Sequence, residues 1–233
     1  MKKTAHVVIV ILLPILGFSQ GEFLPKGQSG LGVSVGYALN RETTGIGLGA
    51  GFSINGIFDI GLDYAKASAR QDDAHSVSTY SPFIAFHWLK QNENIKINLS
   101  LTANLLLNSY TDRYRVDYNS YDVSGNGLLF GVETFYKIQS DEKFSIMPLL
   151  GISYSSLTLS YKDQNGMPLL GDDGLERRDD LSRLNFSIAL PLIFKLDMAK
   201  ENNTLLIITP AVVVNKDANS FNISLSMIGS KLE

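Results

Sequence analysis

The chain has 233 residues, with 20 Lys and Arg against 23 Asp and Glu, a formal charge of -3, and no cysteine. A near-neutral balance without a basic cluster gives no footing for a nucleic-acid partner. The lack of cysteine removes disulfides, thiolate metal sites and cysteine nucleophiles together.

Met1 to Ser19 has the layout of a secretory signal: Lys2 and Lys3, an apolar run from Val7 to Leu16, then Gly17 and Ser19 flanking Phe18. Cleavage before Gln20 fits the small-x-small rule. The run falls short of the roughly 20 residues that a membrane helix needs, and Pro14 interrupts it. Downstream, no apolar run is long enough to span as a helix.

After a polar lead from Gln20 to Ser29, the chain becomes a succession of alternating segments. GLGVSVGYA from Gly30 sets Leu31, Val33, Val35 and Tyr37 against small residues. TGIGLGAGFSI from Thr44 sets Ile46, Leu48, Ala50, Phe52 and Ile54 against glycines and Ser53. Asn55-Gly56 then predicts a tight hairpin, since both residues accept the positive φ of a type I′ turn. The third strand, Ile57 to Ala67, puts Phe58, Ile60, Leu62 and Tyr64 on one face; the fourth, Val77 to Leu89, does the same with Tyr80, Pro82, Ile84, Phe86 and Trp88.

The fifth strand, Ile95 to Tyr110, carries the longest alternation, with Ile95, Ile97, Leu99, Leu101, Ala103, Leu105 and Leu107 on its apolar face. A soluble strand is typically about half as long. Gly127 to Ile138 is the sixth strand and Phe144 to Tyr161 the seventh. There the outward phase slips at Ser155-Ser156, as a β-bulge would make it, so that Leu157, Leu159 and Tyr161 face outward. The eighth, Ser182 to Leu196, alternates strongly, whereas the ninth, Thr204 to Val214, is apolar on both faces. The tenth turns Phe221, Ile223, Leu225 and Met227 outward. Short turns alternate with connections that are mostly longer, the asymmetry of periplasmic turns and external loops. The reading is one all-β domain from Gln20 to Glu233, a transmembrane antiparallel up-and-down β-barrel of about ten strands, with eight as the alternative.

Threading those strands gathers Asp59, Asp63, His87, Lys96, Glu133, Lys137, Arg183 and Lys195 on the inner face. Buried charges need partners, so a structural salt-bridge plug is expected, with an ion or solute path as the alternative. Glycines of the first three strands face Leu129, Phe135, Met147, Leu149 and Ile193 across the lumen. Small against large fills a closed barrel; a narrow passage for small apolar solutes is the competing reading. About ten strands is well below the 16 to 18 of open porins.

For catalysis only His75, beside Asp72 and Asp73, and His87 are available outside the signal. An omptin-like or lipid-modifying hydrolase would need acids or a serine placed on them, and no motif supplies these. The acidic loop with Asp172, Asp173 and Glu176 lacks calcium-loop spacing and reads as solvated, so neither metal nor cofactor is expected. Arg113, Tyr114, Arg115, Tyr118 and Tyr121 form a candidate external contact surface, with the membrane girdle as the other reading of the tyrosines.

Glycine-dense opening strands, GLGVSVGYALN at Gly30 and GIGLGAGFSI at Gly45, behind a signal ending Ser19-Gln20, resemble the outer-membrane β-barrel domain family of Bacteroidota type. That resemblance implies a Gram-negative outer membrane, insertion by the barrel assembly machinery, contact with outer-membrane lipid and lipopolysaccharide, and a monomer. The residues themselves favour a non-enzymatic structural or surface-interaction role in the envelope, with a narrow passive transporter of small or apolar solutes and an outer-membrane hydrolase as the alternatives.

Overall fold

Every second side chain of the alternating segments points to the same side, and in the computed structural model that periodicity closes the sheet on itself. The structure describes residues 20–70, 76–92, 95, 97–111, 122–139, 141–163, 165–171, 173–199, 202–216 and 219–231. The signal segment, Lys96, His75 and the tyrosine-rich loop lie outside them.

The strands are β1 (Gly30–Asn40), β2 (Thr43–Ile54), β3 (Phe58–Ala69), β4 (Ser76–Leu89), β5 (Asn98–Thr111), β6 (Asp122–Phe135), β7 (Ile138–Gln139), β8 (Phe144–Ile146), β9 (Leu149–Lys162), β10 (Arg178–Ala189), β11 (Leu192–Ala199), β12 (Asn202–Asn215) and β13 (Asn219–Lys231). β7 continues the stave begun by β6, β9 continues that of β8, and β11 that of β10, giving ten staves. All pairings are antiparallel, and β1 pairs with both β2 and β13, closing a ten-stranded barrel.

The staves predicted as the sixth, seventh and eighth strands are interrupted. Two of the breaks coincide with Pro148 and Pro191, which carry no amide hydrogen for the ladder. The flanking amides pair elsewhere: Met147 N donates to Pro191 O at 2.9 Å and Leu190 N to Pro210 O at 3.0 Å. β5 starts at Asn98, three residues after Ile95, because Ile95 is held in a turn by Asn92. The hairpin at Asn55-Gly56 forms as expected, with φ of 55° and 59°. The longer external connections are the three middle ones, since Arg41 and Glu42 alone separate β1 from β2.

The bulge expected at Ser155-Ser156 is absent. β9 keeps unbroken register with both β6 and β10, so Leu157 and Leu159 point inward and are fully buried. Gly125 makes their room: a Cβ there would stand 2.9 Å from the Leu159 side chain and 3.1 Å from that of Leu157. Register shifts instead fall at His87/Leu89 and Leu196/Ala199.

Leu31, Ile60, Phe130 and Ile188, with their neighbours along each stave, are exposed on the outer wall. A continuous apolar exterior of this kind is what lipid requires. The inner wall is filled. Phe23 and Leu24, from the lead segment, enter the barrel and pack with Phe135, Met147, Leu149, Ile193, Ile207 and Ile228. The polar lead is therefore a plug, fixed by Gly27 N to Asn55 O at 2.9 Å and Asn55 N to Ser29 Oγ at 3.0 Å.

Candidate functional site

The plug enters through a 3₁₀ turn, Gln20–Glu22, and meets three inward-facing polar side chains on adjacent strands: Asp59 of β3, His87 of β4 and Ser100 of β5. Gly21 N donates to Asp59 Oδ2 at 2.8 Å, His87 Nε2 lies 3.1 Å from the same oxygen, and His87 Nδ1 lies 2.7 Å from Ser100 Oγ. An ionised Asp59 only accepts, so Nε2 carries a proton and donates to it. Lys90, just past β4, donates from Nζ to Gly21 O and, at 3.0 Å, to Leu24 O. Burial pushes Lys90 down to about 8, although Glu22 and Asp59 favour its charge.

Aspartate, histidine and serine in hydrogen-bonded sequence are the parts of a nucleophilic relay. Here all three side chains are buried, Ser100 at 0% exposure. Gly21 lies directly on them: a Cβ there would stand 2.5 Å from His87 Nε2 and 2.6 Å from Asp59 Oδ1. Through Asp59 and His87 this arrangement holds the plug like a latch.

The remaining predicted inner-face residues separate into three places. Glu133, the register partner of Ser100 on β6, is buried beside the latch and faces Glu22 of the plug. Lys137 and Lys195 lie at the rim, beside a crevice of about 210 Å³ that Lys143 and Glu142 also line. Burial and the like charge of Lys195 lower the affinity of Lys137 for its proton. Arg183 lies high on β10, opposite Ser155. Asp63 stands above Asp59 on β3 and lines a central cavity of about 50 Å³ with Glu133, Ser81, Asn104 and Asn185. A space of that size takes a few waters or an ion and no larger solute. Lys96 and the contact surface of Arg113, Tyr114, Arg115, Tyr118 and Tyr121 fall outside the described residues.

In the acidic loop, Asp173 accepts from Leu175 N at 3.0 Å and Glu176 pairs with Arg178 at 2.7 Å. Asp179 and Asp180 belong to β10 and accept from Tyr161 and Thr158.

Sequence reasoning placed His87 and Asp59 on the inner wall but missed Gly21, Lys90 and Ser100. Gly21 is 38 residues from Asp59 and 69 from Lys90. The one local signal was Phe23-Leu24, an apolar pair in an otherwise polar lead.

A closed antiparallel barrel with an apolar exterior agrees with a family comparison: the model of the autotransporter β-domain matches residues 26–188. The chain belongs to the autotransporter β-domain family. Among solved structures, this autotransporter β-domain is similar to the β-domain of the Bordetella autotransporter BrkA, at 12% identity and a TM-score of 0.52, covering 87% of this chain and 98% of that one. It is likewise similar to the translocator domain of the autotransporter NalP from Neisseria meningitidis, at 9% identity and a TM-score of 0.51, covering 90% of each. No curated protein sequence matches it. The likeness to BrkA and NalP is one of fold, and family and fold together make this an outer-membrane barrel.

Proposed function

We propose that this β-domain is a closed, non-enzymatic barrel with a structural or surface-interaction role in the envelope of a Gram-negative bacterium. The observation that carries this reading is the plugged lumen: Gly21 to Leu24 occupy its base, and the Asp59, His87 and Ser100 side chains are spent on holding them. A barrel sealed in this way works through its outer surfaces. The band of exposed aliphatic and aromatic side chains meets outer-membrane lipid, and the external loops, with Arg113, Tyr114, Arg115, Tyr118 and Tyr121, meet lipopolysaccharide or a neighbouring surface. Export follows cleavage before Gln20, insertion uses the barrel assembly machinery, and the barrel acts as a monomer. Glycine-dense β1 and β2 support a Bacteroidota-type source.

Complementation tests this. Cells lacking the protein should gain sensitivity to detergents, and a Ser100→Ala variant should restore resistance as fully as the unaltered chain. Replacing residues 112–121 by a short glycine-serine turn should not restore it. Failure of a folded Ser100→Ala variant together with labelling of Ser100 by a fluorophosphonate would instead make the barrel a hydrolase. Steady single-channel conductance in planar bilayers would make it a transporter.

A further inference from the structure

The short-turn end of the barrel carries a cluster that the latch does not use. The crevice of about 210 Å³ lies there between the plug and the inner wall, with Lys137, Lys143 and Lys195 on one side and Leu24, Ile193 and Leu205 as its apolar part. The backbone fixes where the lysines start. Gln139, Ser145 and Ile193 form one row across β7, β8 and β11. Lys195 N donates to Lys143 O at 2.8 Å, which sets that pair one step nearer the rim. Lys137 stands one step deeper and is clamped by Gln91, whose Oε1 accepts from Lys137 N at 2.7 Å and whose Nε2 donates to Lys137 O at 3.0 Å. The two levels are close enough that Lys137 feels the like charge of Lys195, and Lys90 in turn feels that of Lys137.

Among the described residues, the ammonium groups of Lys137 and Lys195 make no hydrogen bond and no ion pair. The acids at the mouth do not serve them. Asp141 Oδ1 is taken by the amides of Lys143 and Phe144 at 2.7 Å each, and Asp141 and Glu142 are both exposed on the turn. A half-enclosed space walled by one sign of charge concentrates the opposite sign, so the crevice calls for an anion.

The rest of the lining says which anion. An inorganic ion would use the lysines and leave Leu24, Ile193 and Leu205 idle. A phospholipid would have to pass its tails through the wall, because the crevice opens beside the plug on the inner face. Gln28 and Gln139, which also line it, offer amide donors and acceptors. A carboxylate next to an amide and a small apolar side chain uses all three parts, and that is the chemistry of a peptide C-terminus. The volume is below the roughly 300–1,000 Å³ of pockets for drug-sized ligands, so it suits the end of a chain.

We propose that the crevice captures the free carboxyl end of a peptide on the periplasmic side, with Lys137 and Lys195 on the carboxylate, Gln139 on the adjoining amide, and Leu24 and Ile193 around the last side chain. The site faces away from the external loops, and it and the envelope role stand or fall separately.

The full barrel in detergent is titrated calorimetrically with an acetylated alanyl-leucine dipeptide that has a free carboxylate. One site per barrel is expected. The same dipeptide with an amidated C-terminus should bind about ten- to a hundredfold more weakly, the worth of a hydrogen bond to a charged group. Lys137→Met and Lys195→Met should each weaken the free acid, Lys195→Arg should keep it, and Lys162→Met, at the far end of β9, should leave it unchanged. Folding of each variant is checked by its heat-dependent gel shift. Absence of binding, equal binding of the amidated dipeptide, or unchanged affinity in a folded Lys137→Met, Lys195→Met double variant overturns the site. Equally tight binding of inorganic phosphate overturns it as well, because the apolar part would then contribute nothing.

Discussion

Asp59 and Asp63 are the same residue type on the same face of the same strand, and both are buried, yet they belong to different environments. Asp59 has a backbone amide and an imidazole on it; Asp63 has neither. The difference comes from the lead segment, which delivers the Gly21 amide to Asp59 but only the apolar Phe23 side chain to the void beside Asp63. A buried acid becomes an anchor where a donor is delivered to it, and holds nothing where none is.

The largest way to break this contrast is at the latch. His87→Ala removes one partner of a buried pair and should cost about 3–5 kcal/mol, read as a lower urea midpoint. The same change at a side chain that held nothing would cost only its packing. Next is the plug itself. Gly21→Val drives a side chain into His87 and Asp59, and overpacking of this kind costs about 1–3 kcal/mol. Because the protein has no cysteine, a Leu24→Cys reporter gives a clean readout. It should resist a maleimide in the unaltered barrel and react when combined with Gly21→Val. The smallest effect is a pH dependence. Lys90 titrates near 8 in the folded barrel, below the ordinary 10.5 of the unfolded chain. Between those values the unfolded state binds more protons, so the Lys90 contribution to stability rises with pH across that window. Lys90→Met should flatten the rise in a series of urea unfolding curves from pH 7.5 to 10.5.

How far the sequence could be read follows from the same physics. The outer wall was legible because lipid tolerates nothing polar, so Leu31, Ile60, Phe130 and Leu225 mark their faces without help from any other strand. The Asn55-Gly56 turn was legible because its requirement is local. Leu157 and Leu159 were misread as outward because an inward leucine looks identical in sequence, and only the glycine opposite, on another strand, reveals the space for it. Pro148 and Pro191 were visible, but each alone is compatible with an edge or a bend; their alignment on adjacent staves emerges only with the register. The plug was illegible because it has no period, and each contact that holds it joins residues far apart in the chain.

The closure of the ring has a mechanical consequence. β1 and β13 meet through eleven consecutive pairs, from Gly30↔Ser230 to Asn40↔Ser220, whereas β8 and β11 share three. The joint where the two ends of the chain come together is thus as long as its neighbours, and the hoop has no first or last stave. The seam through Pro148 and Pro191 is divided into twelve pairs of β9 with β10 and three of β8 with β11, so a lateral load on the wall would open the three-pair segment first.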